Sequence, residues 1–106
     1  MLFHATWDFI ESTEDGERRH VALFAAWQPP AEMEFQAFYI DADYSGGMAV
    51  VEVEDSATLA RCMAPWLPWL RFTAKPVLPV EESMAIRGEA VAFRDSVELT
   101  ELLSSG

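Results

Sequence analysis

Three titratable side chains lie on segments with strand-like alternation: His4, Glu52 and Arg71. A histidine can abstract a proton beside a carbonyl group and return it elsewhere, while a cation such as Arg71 or Lys75 holds a carboxylate or a developing enolate. We therefore take His4, Glu52 and Arg71 as the candidate catalytic set. The alternative is that His4 pairs with Glu52 across an interface between two copies of the chain and does no chemistry, since interface ion pairs also perturb histidines.

Aromatic and polar side chains provide candidate walls for a ligand site. Trp66 and Trp69 would lie where a helix meets the last strand, and they could stack on a flat ligand or form a hydrophobic lid on the core. Tyr44, in a predicted hairpin, could donate its hydroxyl to a ligand or only cap the loop. The candidate substrate-binding residues are Thr6, Gln36, Phe38, Tyr44, Trp66 and Trp69.

Other kinds of site find no support in the sequence. Cys62 is the only cysteine, and its place beside Leu59 and Met63 on an apolar helix stripe predicts a core residue rather than a nucleophile. A zinc site needs more soft ligands than one cysteine and two histidines offer. No glycine-rich phosphate loop or nucleophile elbow is present. We expect no metal and no cofactor, and we expect His20 to be a surface or core-edge residue.

The composition indicates one acidic domain. The 106 residues carry 18 Asp and Glu against 7 Lys and Arg, a formal charge of -11. This charge disfavours nucleic acids and anionic membrane surfaces as partners, because both repel an acidic protein. No apolar run approaches the length of a membrane span and no signal peptide is evident, so we expect a cytoplasmic protein. The seven Phe and four Trp favour burial of part of the surface against a second copy.

Six elements would position the candidate residues, in the order strand, helix, strand, strand, helix, strand. Period-2 alternation and apolar runs predict strands at 1–10, 34–41, 48–53 and 70–78, and helical spacing predicts helices at 15–27 and 56–66. Ser12 or Thr13 would cap the first helix, and Asp55 with Ser56 the second. A turn is expected at Gly46 and Gly47, because glycine adopts positive φ without steric cost.

This order predicts a ferredoxin-like α+β fold, with an antiparallel four-stranded sheet in the order 4-1-3-2 and both helices on one face. The other face of the sheet would stay open. In each strand, alternate residues are predicted to face the open side. These residues are His4, Thr6, Asp8, Gln36, Phe38, Ile40, Val50, Glu52, Arg71, Thr73 and Lys75. A one-residue error in a strand would invert its assignment.

The sequence changes character after the domain at 1–80, and we interpret 81–106 as a C-terminal arm of the same domain. The pattern predicts a short helix at 81–86, an interruption at Gly88, and a brief strand or extended segment at 90–93. Asp95 or Ser96 would then cap a last helix through Leu103. We expect the arm to pack on a neighbouring subunit, with a flexible extension as the alternative.

Several segments resemble known families. The opening Met-Leu-Phe-His, the Tyr44-Ser45 hairpin, and the segment Leu-Arg-Phe-Thr-Ala-Lys-Pro-Val-Leu at 70–78 resemble a family of short, uncharacterised bacterial proteins and, more distantly, muconolactone isomerase. Both look like members of the dimeric α/β-barrel superfamily, in which two ferredoxin-like units join their open sheet faces. The resemblance covers about 1–80 and implies a homodimer or a larger ring. Only His4 matches the isomerase, so no other catalytic residue is carried over.

Two functions follow as hypotheses. The first is a homodimer that binds a small apolar or aromatic molecule between sheet and helices, where an isomerase or cofactor-free oxygenase reaction could take place. The second is a non-catalytic dimeric module with a structural or ligand-sensing role. The interior of the domain discriminates between them, since a space filled by Phe38, Trp7 and Met48 would leave no room for a ligand.

Overall fold

The computed structural model describes residues 1–105, except the side chains of 98–102 and 104–105. The strands are β1 (Leu2–Phe9), β2 (Glu34–Ile40), β3 (Gly46–Glu52) and β4 (Leu70–Pro76). The helices are α1 (Glu14–Ala26), α2 (Ser56–Met63) and α3 (Val80–Ser105), with a 3-10 turn (Ala64–Trp66) after α2. The strands form one antiparallel sheet in the order β2-β3-β1-β4, which is the strand order expected from the sequence.

The two central strands divide their side chains between the faces of the sheet. On β1, Phe3, Ala5 and Trp7 are buried, whereas His4 and Thr6 are half-buried on the other face. Successive side chains of a strand point to opposite faces of the sheet, so the two sets must separate. The predicted assignment of β1 side chains to the two faces is correct. Each large apolar side chain buried in this way contributes roughly 1.5–3 kcal/mol. The core therefore lies between one sheet face and the helices, and the opposite face stays uncovered.

Side-chain caps begin both short helices. Thr13 Oγ1 accepts a hydrogen bond of 3.0 Å from Gly16 N at the start of α1, and Asp55 Oδ1 accepts one of 2.7 Å from Thr58 N at the start of α2. Each cap satisfies a backbone N–H that has no partner within the helix. The bond from Thr58 also lowers the pKa of Asp55. Of the two caps proposed for α1, Thr13 is thus the correct one.

A β-bulge changes the parity of β2. The register against β3 shifts by one residue after Phe35, and Phe38 is then paired with the buried Ala49. Because the extra residue, Gln36, shifts everything that follows it to the other face, Phe38 and Ile40 lie on the side that the helices cover. The expectation that Phe38 and Ile40 line the open face is wrong, since strict alternation holds only up to the bulge.

The hairpin before β3 uses its glycines for close packing rather than for a turn. Tyr44 carries the positive φ of 59°, and no described glycine has one. Gly46 and Gly47 instead belong to β3, where a Cβ on Gly47 would lie 2.6 Å from Cζ2 of Trp7. The predicted glycine turn is therefore wrong. The missing side chains let the Trp7 indole lie directly against the backbone of β3.

The C-terminal arm is one helix of 26 residues, α3. The predicted break at Gly88, the extended segment at 90–93 and the separate last helix are wrong, because a glycine costs a helix only about 1 kcal/mol and no proline follows Pro79. The radius of gyration is 21.0 Å, against about 13 Å for a compact chain of this length, so α3 projects from the domain. No helix in the described part of the chain could cross a membrane.

Candidate ligand cavity

A cavity of about 380 Å³ lies between the covered face of the sheet and the helices α1 and α2. Ala5 and Ala49 form part of its floor on the two central strands, where their small side chains leave space. Nine of the 21 lining residues are Phe, Trp or Tyr. The volume lies within the roughly 300–1,000 Å³ typical of small-molecule sites, so the aromatic interior of this domain is not filled.

Helix α1 borders the cavity without closing it. None of its residues is buried, although Val21 and Phe24 line the cavity and are 63% and 53% exposed. The ring centroids of Phe24 and Trp27 lie 5.8 and 5.3 Å from that of Trp66, and the Trp27–Trp66 contact is edge to face. Large rings in this geometry hold α1 away from the sheet. The apolar side of the helix is consequently directed toward an open space.

The bulge in β2 supplies the wall at the edge of the sheet. The Phe38 ring packs edge to face on Trp7 at 5.8 Å, and it stacks on Phe35 at 5.2 Å. Phe38 also contacts Phe24 across the cavity at 6.4 Å. The ligand-binding prediction for Phe38 thus has a structural basis in this cavity, on the sheet face opposite to the expected one.

His20 of α1 lies at the mouth of the cavity. Its imidazole stacks on Trp69 with a centroid distance of 5.1 Å and an angle of 7°, and it contacts Trp66 at 5.5 Å. Burial lowers the pKa of His20, and the charge of Glu17 opposes this effect. A neutral imidazole at pH 7 offers one donor and one acceptor nitrogen, and neither is hydrogen-bonded to another residue of the described chain.

The sequence predicts His20 as a surface or core-edge residue, which its half-buried position confirms, but it does not predict that His20 borders a cavity. The sequence contains a signal for it, because Leu23 and Phe24 follow His20 by three and four residues, the spacing that places side chains on one face of a helix. The missing information was the gap between that face and the sheet.

Tyr44 also lies at the mouth, on the loop between β2 and β3. A left-handed backbone costs a non-glycine residue roughly 1–2 kcal/mol, so the loop must hold Tyr44 in place. Ser45 does so by donating from Oγ to Asp43 Oδ1 at 2.7 Å and from its backbone N–H to the same oxygen at 3.0 Å. These bonds lower the pKa of Asp43. Tyr44 is 76% exposed and borders the cavity.

The candidate catalytic residues lie on the open face of the sheet, away from the cavity. The amino group of Met1 forms an ion pair with Glu52 and donates a 2.6 Å hydrogen bond to its Oε1. His4 lies in the middle of the same face, directly opposite Val50 on β3. Glu52 is therefore engaged with the chain terminus, and a contact between His4 and Glu52 is not found among the described residues.

Arg71 is even farther from His4. In the register of β1 and β4, His4 is opposite Lys75, whereas Arg71 is opposite Asp8. Four residues along a strand correspond to roughly 13 Å. One chain consequently does not bring Arg71 to His4, and Lys75 is the cation beside the histidine.

The remaining predicted binding residues divide between the two sides of the sheet and its edge. Trp66 is buried in the cavity wall at 5% exposure, and Trp69 is half-buried on His20 beside the mouth. Thr6 lies on the open face, and Gln36 is exposed at the bulge. Of the six predicted residues, Phe38, Tyr44 and Trp66 line the cavity.

Cys62 contributes to the wall of the cavity rather than to reactivity. It is buried, as expected, and burial raises the pKa of its thiol, so the sulfur is protonated and weakly nucleophilic at pH 7. The described residues contain no group of three or more His, Cys, Asp or Glu side chains that could hold a metal ion.

Residues 1–91 match the family model described as Domain of unknown function (DUF3303). The chain belongs to the DUF3303 family. The matched region includes all four strands, both short helices and the first part of α3, so the cavity and the open sheet face both lie inside the DUF3303 domain. No curated protein matches the sequence. The likeness to muconolactone isomerase stays a prediction.

The cavity of this DUF3303 protein is lined mainly by apolar side chains, with a small number of polar groups. Nine of the 21 lining residues contribute aromatic rings, which can stack on other flat rings. Apart from the indoles of the tryptophans, the lining side chains with polar groups are Glu17, His20, Tyr44 and Cys62, and the first three come from α1 and the β2–β3 loop.

Proposed function

We propose that this DUF3303 protein binds a small, flat, largely apolar molecule between its sheet and its helices. The observation that carries the proposal is the 380 Å³ cavity with nine aromatic lining residues. Burial of about 200 Å² of the ligand's apolar surface would contribute roughly 5 kcal/mol of favourable free energy, before the entropy cost of association is subtracted. We expect a dissociation constant between about 1 μM and 1 mM.

The ligand would carry one hydrogen-bonding substituent at its outer end. His20 supports this, because its ring nitrogens have no hydrogen-bonding partner among the described residues and its imidazole is held by Trp69 and Trp66. A site with a free neutral imidazole favours a hydroxyl or carbonyl group over a second apolar group. Phenols and hydroxylated bicyclic aromatics have this character.

An isomerase or cofactor-free oxygenase reaction in this cavity would use His20 as the base. His20 borders the cavity, whereas His4, Glu52 and Arg71 lie across the sheet. A proton can be transferred only between groups in hydrogen-bonding reach, so geometry favours His20 over His4 for a ligand bound here.

A non-catalytic, ligand-sensing module is the second candidate. The observation that favours it is the paucity of titratable groups around the cavity, where Glu17 and His20 are accompanied mainly by apolar side chains. Electrostatic stabilisation of a charged transition state needs preorganised donors, which these walls supply only at the mouth. Incubation with the native ligand distinguishes the two candidates: a chemically altered ligand supports the enzyme, and an unaltered one supports the sensor.

Binding can be tested by titrating the protein with 1-naphthol and following tryptophan fluorescence. Trp7, Trp27 and Trp66 line the cavity, so an occupant should change the emission. Ala5→Leu fills part of the floor and should weaken binding at least tenfold. Ala74→Leu is the matched control, because Ala74 is paired with Ala5 on β4 but is exposed and does not line the cavity.

Equal binding by wild type, Ala5→Leu and Ala74→Leu would place the ligand elsewhere and overturn the proposed site. Native mass spectrometry of protein purified gently from its host complements the titration. A reproducible extra mass would identify the class of ligand, and its loss in Ala5→Leu would tie that ligand to the cavity.

We also propose that the chain is a ferredoxin-like unit of a dimeric α/β barrel, which joins a second copy through the open face of the sheet. The central strands present half-buried His4, Thr6, Met48 and Val50 there, and the edge strand β4 presents charged Arg71 and Lys75. Met48 and Val50 give this centre apolar surface, and apolar surface inside a charged rim is typical of protein interfaces.

The dimer proposal predicts that Val50→Glu weakens self-association in sedimentation velocity experiments. Ala57→Glu is the control, since it adds the same charge on α2, outside the open face. A wild-type chain that remains a folded monomer at every accessible concentration would contradict the dimer, and it would leave the cavity proposal intact.

A further inference from the structure

Helix α3 has the length and the exposure of a helix that needs a partner. All its described side chains are exposed except that of Ser83, which is half-buried. Helices in water are stabilised mainly by packing an apolar face, and α3 contains a helix-weakening glycine at position 88. Because α3 projects from the domain, the domain leaves the described side chains of 84–97 uncovered.

One side of α3 carries an apolar seam. Ile86, Ala90, Phe93 and Val97 recur at spacings of four, three and four residues, the a and d spacing of a coiled-coil heptad. At about 100° per residue, these four side chains fall within roughly 60° of one another around the helix. Ile86 and Phe93 are 48% and 68% exposed. A stripe this narrow is typical of helix pairing and narrower than the face of a helix that covers a globular core.

Charged residues border the seam in a pattern that selects the partner. Glu82 and Glu89 lie along one border, and Arg87 and Arg94 lie along the other, each arginine five residues after a glutamate. In a parallel two-stranded coiled coil, a residue on one border faces the residue five positions later on the partner's opposite border. Two identical α3 helices would thus form pairs of Glu82 with Arg87 and of Glu89 with Arg94, in both directions.

The antiparallel arrangement is disfavoured by the same charges. In that arrangement, equivalent borders meet, so glutamates would face glutamates and arginines would face arginines. The pattern also disfavours a nucleic-acid partner, because the seam is apolar and the chain carries a formal charge of -11. Charge complementarity therefore commits the seam to a second copy of this chain in parallel register.

We propose that α3 pairs in parallel with α3 of a second copy, through the seam of Ile86, Ala90, Phe93 and Val97. This pairing is independent of the ligand cavity, and it places the proposed subunit interface in the helical arm as well as in the sheet. Val80, Met84 and Val91 lie on the opposite side of α3 and do not belong to the seam.

Disulfide trapping in the full chain tests the pairing. In a parallel pair, position 86 of one helix faces position 86 of the other, so Ile86→Cys should form a symmetric cross-linked dimer under mild oxidation. Ala85→Cys is the matched control, since position 85 is exposed and points away from the seam. The native Cys62 is buried and should contribute little cross-linking.

Strong cross-linking of Ile86→Cys with little for Ala85→Cys would support the parallel seam. Equal yields, or none for Ile86→Cys at concentrations where the protein is dimeric, would overturn it. If Ile86→Cys forms no cross-link but the protein still binds 1-naphthol, the helix pairing is refuted and the cavity proposal is not affected.

Charge exchange provides the second measurement, in the Ile86→Cys background. One variant carries Glu82→Arg and Glu89→Arg, and the other carries Arg87→Glu and Arg94→Glu. Either double variant alone brings like charges together between the helices, so its yield of cross-linked dimer should fall at least roughly tenfold. Mixing the two variants restores opposite charges and should restore the cross-link between unlike chains. A mixture that cross-links no better than the separate variants would overturn the pairing.

Discussion

Replacement of Gly47 by alanine tests whether Trp7 owes its position to the missing side chain on β3. The added Cβ would lie 2.6 and 2.7 Å from Cζ2 and Cε2 of the Trp7 indole, and 2.7 Å from the backbone oxygen of Tyr39. Ordinary contacts between carbon atoms are about 3.5–4.0 Å, so either the ring or the strand must move. The Trp7 ring packs on Phe38 and Phe72, which restrain it, and the Tyr39 oxygen belongs to the backbone and cannot turn away as a flexible side chain can.

Overpacking of a buried site costs about 1–3 kcal/mol. For a chain of about 100 residues, each kcal/mol changes Tm by roughly 4 °C, so Gly47→Ala should lower Tm by about 4–12 °C. Because Trp7 lines the cavity, its displacement should also shift the tryptophan emission and weaken binding of 1-naphthol. Thermal denaturation followed by circular dichroism measures the first effect, and fluorescence measures the other two.

Gly88→Ala is the control, because it makes the same chemical change where a Cβ meets nothing within 4 Å. In the helix interior, alanine is more favourable than glycine by roughly 0.5–1 kcal/mol, so helicity should rise and Tm should not fall. A Gly47→Ala protein with the Tm and the emission spectrum of the wild type would refute the reasoning, since it would show that Trp7 does not depend on close contact with β3.

Three further predictions concern single side chains. Burial lowers the pKa of His20 in the folded state, so the unfolded chain binds the proton more tightly. The contribution of His20 to stability is therefore fully present above pH 6.5 and is lost as the pH falls through the folded pKa. His20→Gln, with Glu17 unchanged, should flatten this part of a curve of Tm against pH. Thr13→Ala removes the cap of α1 and should cost about 1 kcal/mol in urea denaturation, whereas Ser12→Ala, beside it, should cost less because Ser12 bonds only to an exposed carbonyl. Cys62 should react slowly with a thiol reagent at pH 7, because burial raises the pKa of its thiol, and rapid modification of the folded protein would contradict that shift.

Local chemistry explains why much of the fold could be predicted from the sequence. Alternation on β1 separated buried Phe3 and Trp7 from His4, and capping residues marked the starts of α1 and α2. These signals depend on neighbours within a few residues, which any reader of the sequence can see. The short connection between β2 and β3 indicated their antiparallel pairing in the same way.

The site was less predictable because its parts meet through packing. Phe38 was expected on the open face, and one bulged residue, Gln36, moved it into the cavity. His20 borders the cavity because its ring packs on Trp66 and Trp69, which lie far along the chain from α1. Arg71 and His4 share a face, but the register of β1 and β4 separates them.

The sequence by itself determined the order of the elements, the helix caps, the parity of the central strands and the acidic, aromatic-rich character of the domain, because each depends on residue type and short spacing. Only the tertiary structure decided where the cavity lies, which face carries Phe38 and how Gly47 admits Trp7. Those features depend on the register between strands and on the volume left between large rings, and neither quantity is encoded in the neighbours of a single residue.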